Sequence, residues 1–285
     1  MKLKTDIAHW TKKVPNRQWV HEDQKLVDMG SAVPDTILNS RPLSEVHRLD
    51  LSLFVIFEEA ALRVSGALVR TAPNKEAMNF AAQQTLDEAR HREIFMDRLD
   101  ASCIAQGMGG GVVNQSIKTP PLVRFLEFTD EVIDRGDFVE ALTLMNLIFE
   151  GMAYPLYAYE QRYWEPIDPY LTSLIKSAFV DETRHIAVGA AIVNKMLEDD
   201  PERRVRVKKL CVEATNNMNE VFDYYIRKFV KLFDAVSRIH ADLFAGAEFE
   251  PGRLITETPY AEQVRSIHES IKKEHGALLM RAGLA

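Results

Sequence analysis

The sequence predicts an all-α fold, a helical bundle around one core, and three observations carry that prediction. Long stretches place apolar residues at helical spacing. Glycine and proline are scarce, at 13 and 12 in 285 residues, a composition that suits long helices better than many short strands. No segment shows the period-two alternation of a half-buried strand, and none repeats at roughly twenty to fifty residues. A hydrophobic share of 46% and a charged share of 27% are those of an ordinary globular chain that can bury most of its apolar surface.

Taken in order, residues 1–40 carry Trp10 and Trp19 among prolines and charges without a clean period, and are expected to form an N-terminal arm on the main body. "NSRPLSEV" opens the first long helix, with Ser40 as its cap and Pro42 in its first turn. That helix runs to about Arg70, where "TAPNKE" breaks it. A second helix spans about Asn74 to Cys103. "GMGGG" (Gly107 to Gly111) then begins a flexible connector, since no strand precedes it and the lysine of a phosphate loop is absent.

A third helical region covers about Pro121 to Tyr163, with an interruption near Gly136, and a fourth about Asp168 to Glu198. "EDDPERR" makes a turn whose acidic residues favour the start of the next helix, about Pro201 to Phe244. The basic run "PERRVRVKK" reads as a solvated helix start. A last helix occupies about Tyr260 to Ala282. The expected organisation is one domain over 1–285, with the arm (1–40), a four-helix core (41–198) and C-terminal helices (199–285).

The formal net charge of −7 argues against a nucleic-acid or anionic membrane partner. Two cysteines, Cys103 and Cys211, make no disulfide framework, so a reducing cytoplasm is the expected compartment. "MKLKTDIAHW" lacks the apolar core of a signal peptide, and no run reaches the roughly eighteen apolar residues that would span a bilayer.

Chemistry enters through a motif that occurs twice, Asp-Glu-x-Arg-His, in "TLDEARHREIF" and "FVDETRHIAVG". Residues three apart on a helix share a face, so Glu88 points with His91, and Glu182 with His185. Each pair can hold a metal ion from one helix. Glu58 and Glu150 lie within long apolar runs, where a lone carboxylate costs several kcal/mol unless protonated, paired or bound to a metal. The order Glu, Glu-x-x-His, Glu, Glu-x-x-His is the ligand pattern of di-metal carboxylate bundles. Four carboxylates balance two divalent cations, and two neutral imidazoles complete the shells. Asp87 and Asp181 are placed to reach the histidine of the opposite helix and orient it, with Arg90 and Arg184 neutralising those acids.

This constellation resembles the ferritin-like di-iron carboxylate superfamily, most closely the hydroxylase large subunits of bacterial multicomponent monooxygenases. The resemblance rests on both motifs, on the thirty-residue spacing from Glu58 to Glu88 that selects Glu58 over Glu59, and on Ser65-Gly66, "APNKEAMNFAAQQTLDE" and "HIAVG". It covers about Asp50 to Lys195. Three positions differ from related groups. Phe95 stands where ribonucleotide reductase small subunits carry a radical tyrosine. Ala178 stands where arylamine N-oxygenases have a third histidine. Tyr154, followed by Pro155, stands where the multicomponent monooxygenases have a threonine, and the proline is expected to introduce a helical bulge beside the metals.

The resemblance implies two iron ions or an iron–manganese pair, O2 as co-substrate, and an oxidase or monooxygenase acting on a small organic molecule. It also implies an electron donor, a reductase or ferredoxin. A radical-generating subunit and a ferritin-like ferroxidase are the alternatives. Phe54, Gln84, Phe95, Leu147 and Gly189 are the expected pocket residues, with Gly189 leaving space beside the metals. Tyr154 is the candidate catalytic residue, a buried phenol able to donate a proton or an electron. The long helix from Pro201 offers a surface for a homodimer.

Overall fold

The computed structural model describes residues 32–109 and 117–285. The arm up to residue 31, with both of its tryptophans, and most of the glycine-rich connector lie outside the described residues. A short helix α1 (Asp35–Leu38) leads into α2 (Arg41–Thr71), which packs along its length against α3 (Lys75–Ala105). After the connector come α4 (Pro120–Asp134) and α5 (Phe138–Leu142). A π-helical segment (Thr143–Phe149) then runs directly into α6 (Glu150–Trp164). The bundle is completed by α7 (Pro169–Leu197), the long α8 (Pro201–Ile239) and α9 (Tyr260–Arg281).

The helix starts follow local chemistry. Asn74, Asp137, Asp168 and Asp200 each accept a backbone N–H of the first turn, which satisfies a donor the helix cannot. Pro169 and Pro201 occupy first-turn positions where no N–H is needed. Gly136 takes φ +67° and forms the predicted interruption between α4 and α5. Ser40 precedes α2, but its hydroxyl does not cap the helix; it bonds His240 Nε2 at 2.8 Å, so a tertiary contact competes with the cap.

Two expectations need correction. Glu248–Glu250 (β1) and Arg253–Leu254 (β2) form a small antiparallel hairpin, too short for period-two alternation to show in sequence. The bulge lies over Thr143–Phe149, before Glu150, while Pro155 sits further along inside α6. No helix among the described residues is long and apolar enough to cross a membrane. Both cysteines are buried and unpaired.

Candidate metal centre

Four elements bring one carboxylate or one carboxylate–imidazole pair each to the middle of the bundle. Glu58 comes from α2, Glu88 and His91 from α3, Glu150 from the first turn of α6, and Glu182 and His185 from α7; all six are buried. They form two sets. Glu58, Glu88, His91 and Glu182 make one; Glu88, Glu150, Glu182 and His185 make the other. In each, the donor atoms lie within 4.8 Å of one another. His91 Nδ1 stands 3.3 Å from Glu182, 3.4 Å from Glu88 and 3.7 Å from Glu58. His185 Nδ1 stands 3.1 Å from Glu150, 3.2 Å from Glu88 and 3.7 Å from Glu182. Glu88 and Glu182 therefore belong to both sets.

Both oxygens of Glu88, Glu182 Oε2 and His91 Nδ1 are buried without a hydrogen-bond partner among the described residues. Orphaned acceptors aimed at one another are costly in a protein interior, and divalent cations between them would remove the cost. The donor set, carboxylate oxygens with one imidazole nitrogen per set, suits iron or manganese. Without cations the charge can be balanced only by protons. Burial pushes the Glu58 carboxyl up to about 8, and burial together with the neighbouring Glu182 pushes Glu150 well above the carboxylate range. Burial also acts on Glu88, but the two flanking histidines outweigh it and hold that carboxyl low. Burial disfavours the imidazolium of His91 and His185, and the carboxylates around each outweigh it, raising both.

Asp87 Oδ2 lies 3.2 Å from His185 Nε2, and Asp181 Oδ2 lies 3.3 Å from His91 Nε2, each across to the opposite helix. An Nε2–H donated to either aspartate leaves the Nδ1 lone pair facing the carboxylate cluster, which is the tautomer a metal ligand needs. The arginines are less symmetric than the motif. Arg90 and Arg184 both pair with Asp181, and Arg184 Nη2 is 3.9 Å from Asp87.

A mostly apolar cavity with a volume of about 120 Å³ adjoins the carboxylates Glu58, Glu88, Glu150 and Glu182. Of the five expected pocket residues, Phe54 lines it, while Phe95 lies behind, stacked on Phe54 at 4.2 Å. Gln84 instead donates to Glu150 Oε1 at 2.6 Å. Leu147 is buried within the π segment and does not line the cavity. Gly189 leaves no free space: a Cβ there would meet the Cβ of Asn146 at 2.5 Å. Asn146 occupies that room and donates to Glu150 Oε2 at 2.9 Å. Its signal in the sequence is its place four residues before Glu150.

The tyrosine that meets a carboxylate of the cluster is Tyr157, not Tyr154. Tyr157 lines the cavity and donates to Glu58 Oε1 at 3.3 Å, whereas Tyr154 stacks on Phe179 at 4.6 Å outside the lining. Tyr157 is seven residues past Glu150, two turns along the same face, which is the sequence signal that points to it.

The Gly189–Asn146 fit supports a direct test. Gly189→Ala should force the π segment away from α7 and destabilise the protein by roughly 1–3 kcal/mol, with weaker metal retention because Glu150 loses an amide partner. Chemical unfolding and metal analysis check this. Unchanged stability would mean the two helices part freely.

The family model for methane/phenol/alkene hydroxylases matches residues 48–200, a span holding all six converging side chains. No curated protein matches the chain. Among solved structures, a protein with aldehyde deformylating oxidase activity from Synechococcus is 19% identical, covering 86% of this chain and 99% of its own, with a TM-score of 0.54. An R2-like ligand-binding oxidase with a Mn/Fe cofactor is 17% identical, covering 93% of this chain and 92% of its own, with a TM-score of 0.62. These likenesses show the helical-bundle fold. Because the family match spans more than half of the chain and contains the whole carboxylate–histidine cluster, the chain belongs to the methane/phenol/alkene hydroxylase family and is a ferritin-like oxidoreductase.

Proposed function

We propose that this protein is an O2-dependent oxidase or monooxygenase of a small, largely apolar organic substrate. In this reading Glu58, Glu88, His91, Glu150, Glu182 and His185 hold two iron ions or an iron–manganese pair. The observation that carries it is the junction of the two parts: the buried carboxylate–histidine cluster forms one wall of a cavity whose remaining lining is mostly apolar. When bound in reduced form, two such ions supply electrons for O2 reduction next to the substrate.

The chain's own residues do the rest. Asp87 and Asp181 hold the histidine tautomers, Gln84 and Asn146 clamp Glu150, and the Tyr157 hydroxyl keeps a proton at Glu58 Oε1. Phenyl and aliphatic side chains exclude water from the reacting end. The reading also includes an external electron donor, a reductase or ferredoxin. It further includes a homodimer formed through α8, whose outer face exposes Val205 and Val212 one heptad apart.

The test is metal content on anaerobically purified protein, followed by absorption spectra as O2 is admitted. About two metal ions per chain and a transient visible band are expected. One ion or none, with no response to O2, would overturn the proposal.

A further inference from the structure

The cavity has a second polar end. Besides the cluster, its walls include the carboxyls of Asp50 on α2 and Glu160 on α6. Asp50 lies eight residues before Glu58, about 12 Å along the helix axis at 1.5 Å per residue. Glu160 lies ten residues beyond Glu150, on a helix that runs the opposite way. Two cross-links keep α2 and α6 in that register: Tyr157 to Glu58 near the metal centre, and Trp164 Nε1 to Asp50 Oδ2, at 2.6 Å, at the far end. Asp50 is 2% exposed.

Every other buried aspartate near the bundle axis has a basic partner. Asp168 has Arg98 and His47, Asp181 has Arg90 and Arg184, and Asp87 has His185. Asp50 and Glu160 have none: among the described residues only the Trp164 N–H reaches Asp50, and no hydrogen bond or cation reaches Glu160. Burial raises both carboxyls, Asp50 to about 7 and Glu160 well above its usual range. The tyrosine hydroxyls nearby are already committed, Tyr159 to Glu250, Tyr163 to Gln263 and Tyr225 to Ile117. At that end Glu160 is thus the carboxyl with no hydrogen-bond partner among the described residues, and Asp50 has the Trp164 N–H alone.

We propose that Asp50 and Glu160 form a cation subsite that receives the protonated amine of a long-chain amine substrate, whose apolar chain follows the cavity toward the metal centre. The span between the two ends suits an extended chain of roughly ten bonds, at about 1.2 Å per bond. A charge-assisted hydrogen bond to a carboxylate would neutralise both partners away from water, and the phenyl-rich walls from Phe54 to Phe222 would hold the chain. This inference rests on the oxidase reading for the role of the ligand, but the subsite itself can be tested without turnover.

The experiment is calorimetric titration of the protein as purified, with its metals, with n-decylamine, decan-1-ol and decanoate below their aggregation concentrations. Decylamine should bind about tenfold tighter than decanol or more, and decanoate weakest. In Glu160→Gln the preference for the amine over the alcohol should vanish, with decanol affinity and metal content unchanged; Asp50→Asn should act in the same direction. Decanol or decanoate binding as tightly as the amine would overturn the subsite. So would equal loss of amine and alcohol in Glu160→Gln, or no binding of any of the three. An amine preference in a protein that holds no metal pair would sink the oxidase reading alone.

Discussion

Glu88→Ala should release both metal ions, whereas Glu58→Ala should leave one in place. The difference follows from membership of the two sets: Glu88 and Glu182 belong to both, while Glu58 belongs only to the His91 set and Glu150 only to the His185 set. Removing a shared carboxylate takes a ligand and a negative charge from both positions at once. Removing Glu58 leaves the His185 set complete. Elemental analysis of each variant after anaerobic loading gives the ratio directly. The fold should survive, because neither Glu88 oxygen takes a hydrogen bond among the described residues, and His91 and His185, with which it pairs, each keep further carboxylates beside them. Helical content and metal-free melting near the wild-type values would show that the loss is one of ligands. Retention of one ion by Glu88→Ala would mean that the two sets do not share it.

The largest effect on stability should come from Asp168→Ala, far from the cluster. Asp168 is fully buried and takes Arg98 Nη2 at 2.6 Å, Arg98 Nε at 3.2 Å and His47 Nε2 at 3.1 Å, while its other oxygen caps α7 through Leu171 N at 3.0 Å. It ties the start of α7 to α2 and α3. Alanine would deprive the 2%-exposed Arg98 of its carboxylate in a site that cannot supply water freely. Breaking such a pair costs about 3–5 kcal/mol, and loss of the cap adds roughly 1 kcal/mol.

The pH dependence has a definite sign. Burial pushes the Asp168 carboxyl up, but His47 and Arg98 outweigh it, so its value in the folded protein lies below the ordinary 3.8. A depressed carboxyl stabilises above its unfolded value, and that contribution is lost as pH falls through the folded value. Urea unfolding of metal-free wild type and Asp168→Ala should therefore differ fully near neutrality and converge in acid below about pH 4. A difference under about 1 kcal/mol at neutral pH would mean that neighbouring groups replace the carboxylate.

Helix-scale information was legible in the chain because it is local. The ends of α2, α3 and α7 follow from Asn74, Asp168, Pro169 and the break at "TAPNKE". The six-residue cluster follows from carboxylates placed inside apolar runs, since such groups have few physical alternatives to a metal. The crossing of Asp87 to His185 and Asp181 to His91 was also legible, as a consequence of two-fold repetition.

Beyond those two crossings, contacts that depend on the exact rotation of one helix against another were not legible. Tyr154 and Tyr157 both sit on the Glu150 face by counting turns, and only the packed helix settles that Tyr157 reaches Glu58 while Tyr154 turns to Phe179. Gly189 reads as open space in sequence, yet a partner from the π segment fills it. Both arginines converge on Asp181 although the motif repeats evenly. By itself, then, the sequence determined the helices, their amphipathic faces and the six carboxylate and imidazole side chains that converge, because those depend on spacing along one chain. Only the tertiary structure decided which oxygens stay orphaned, where the cavity runs and that Asp50 and Glu160 share its far end, because those depend on distances between helices that no local pattern encodes.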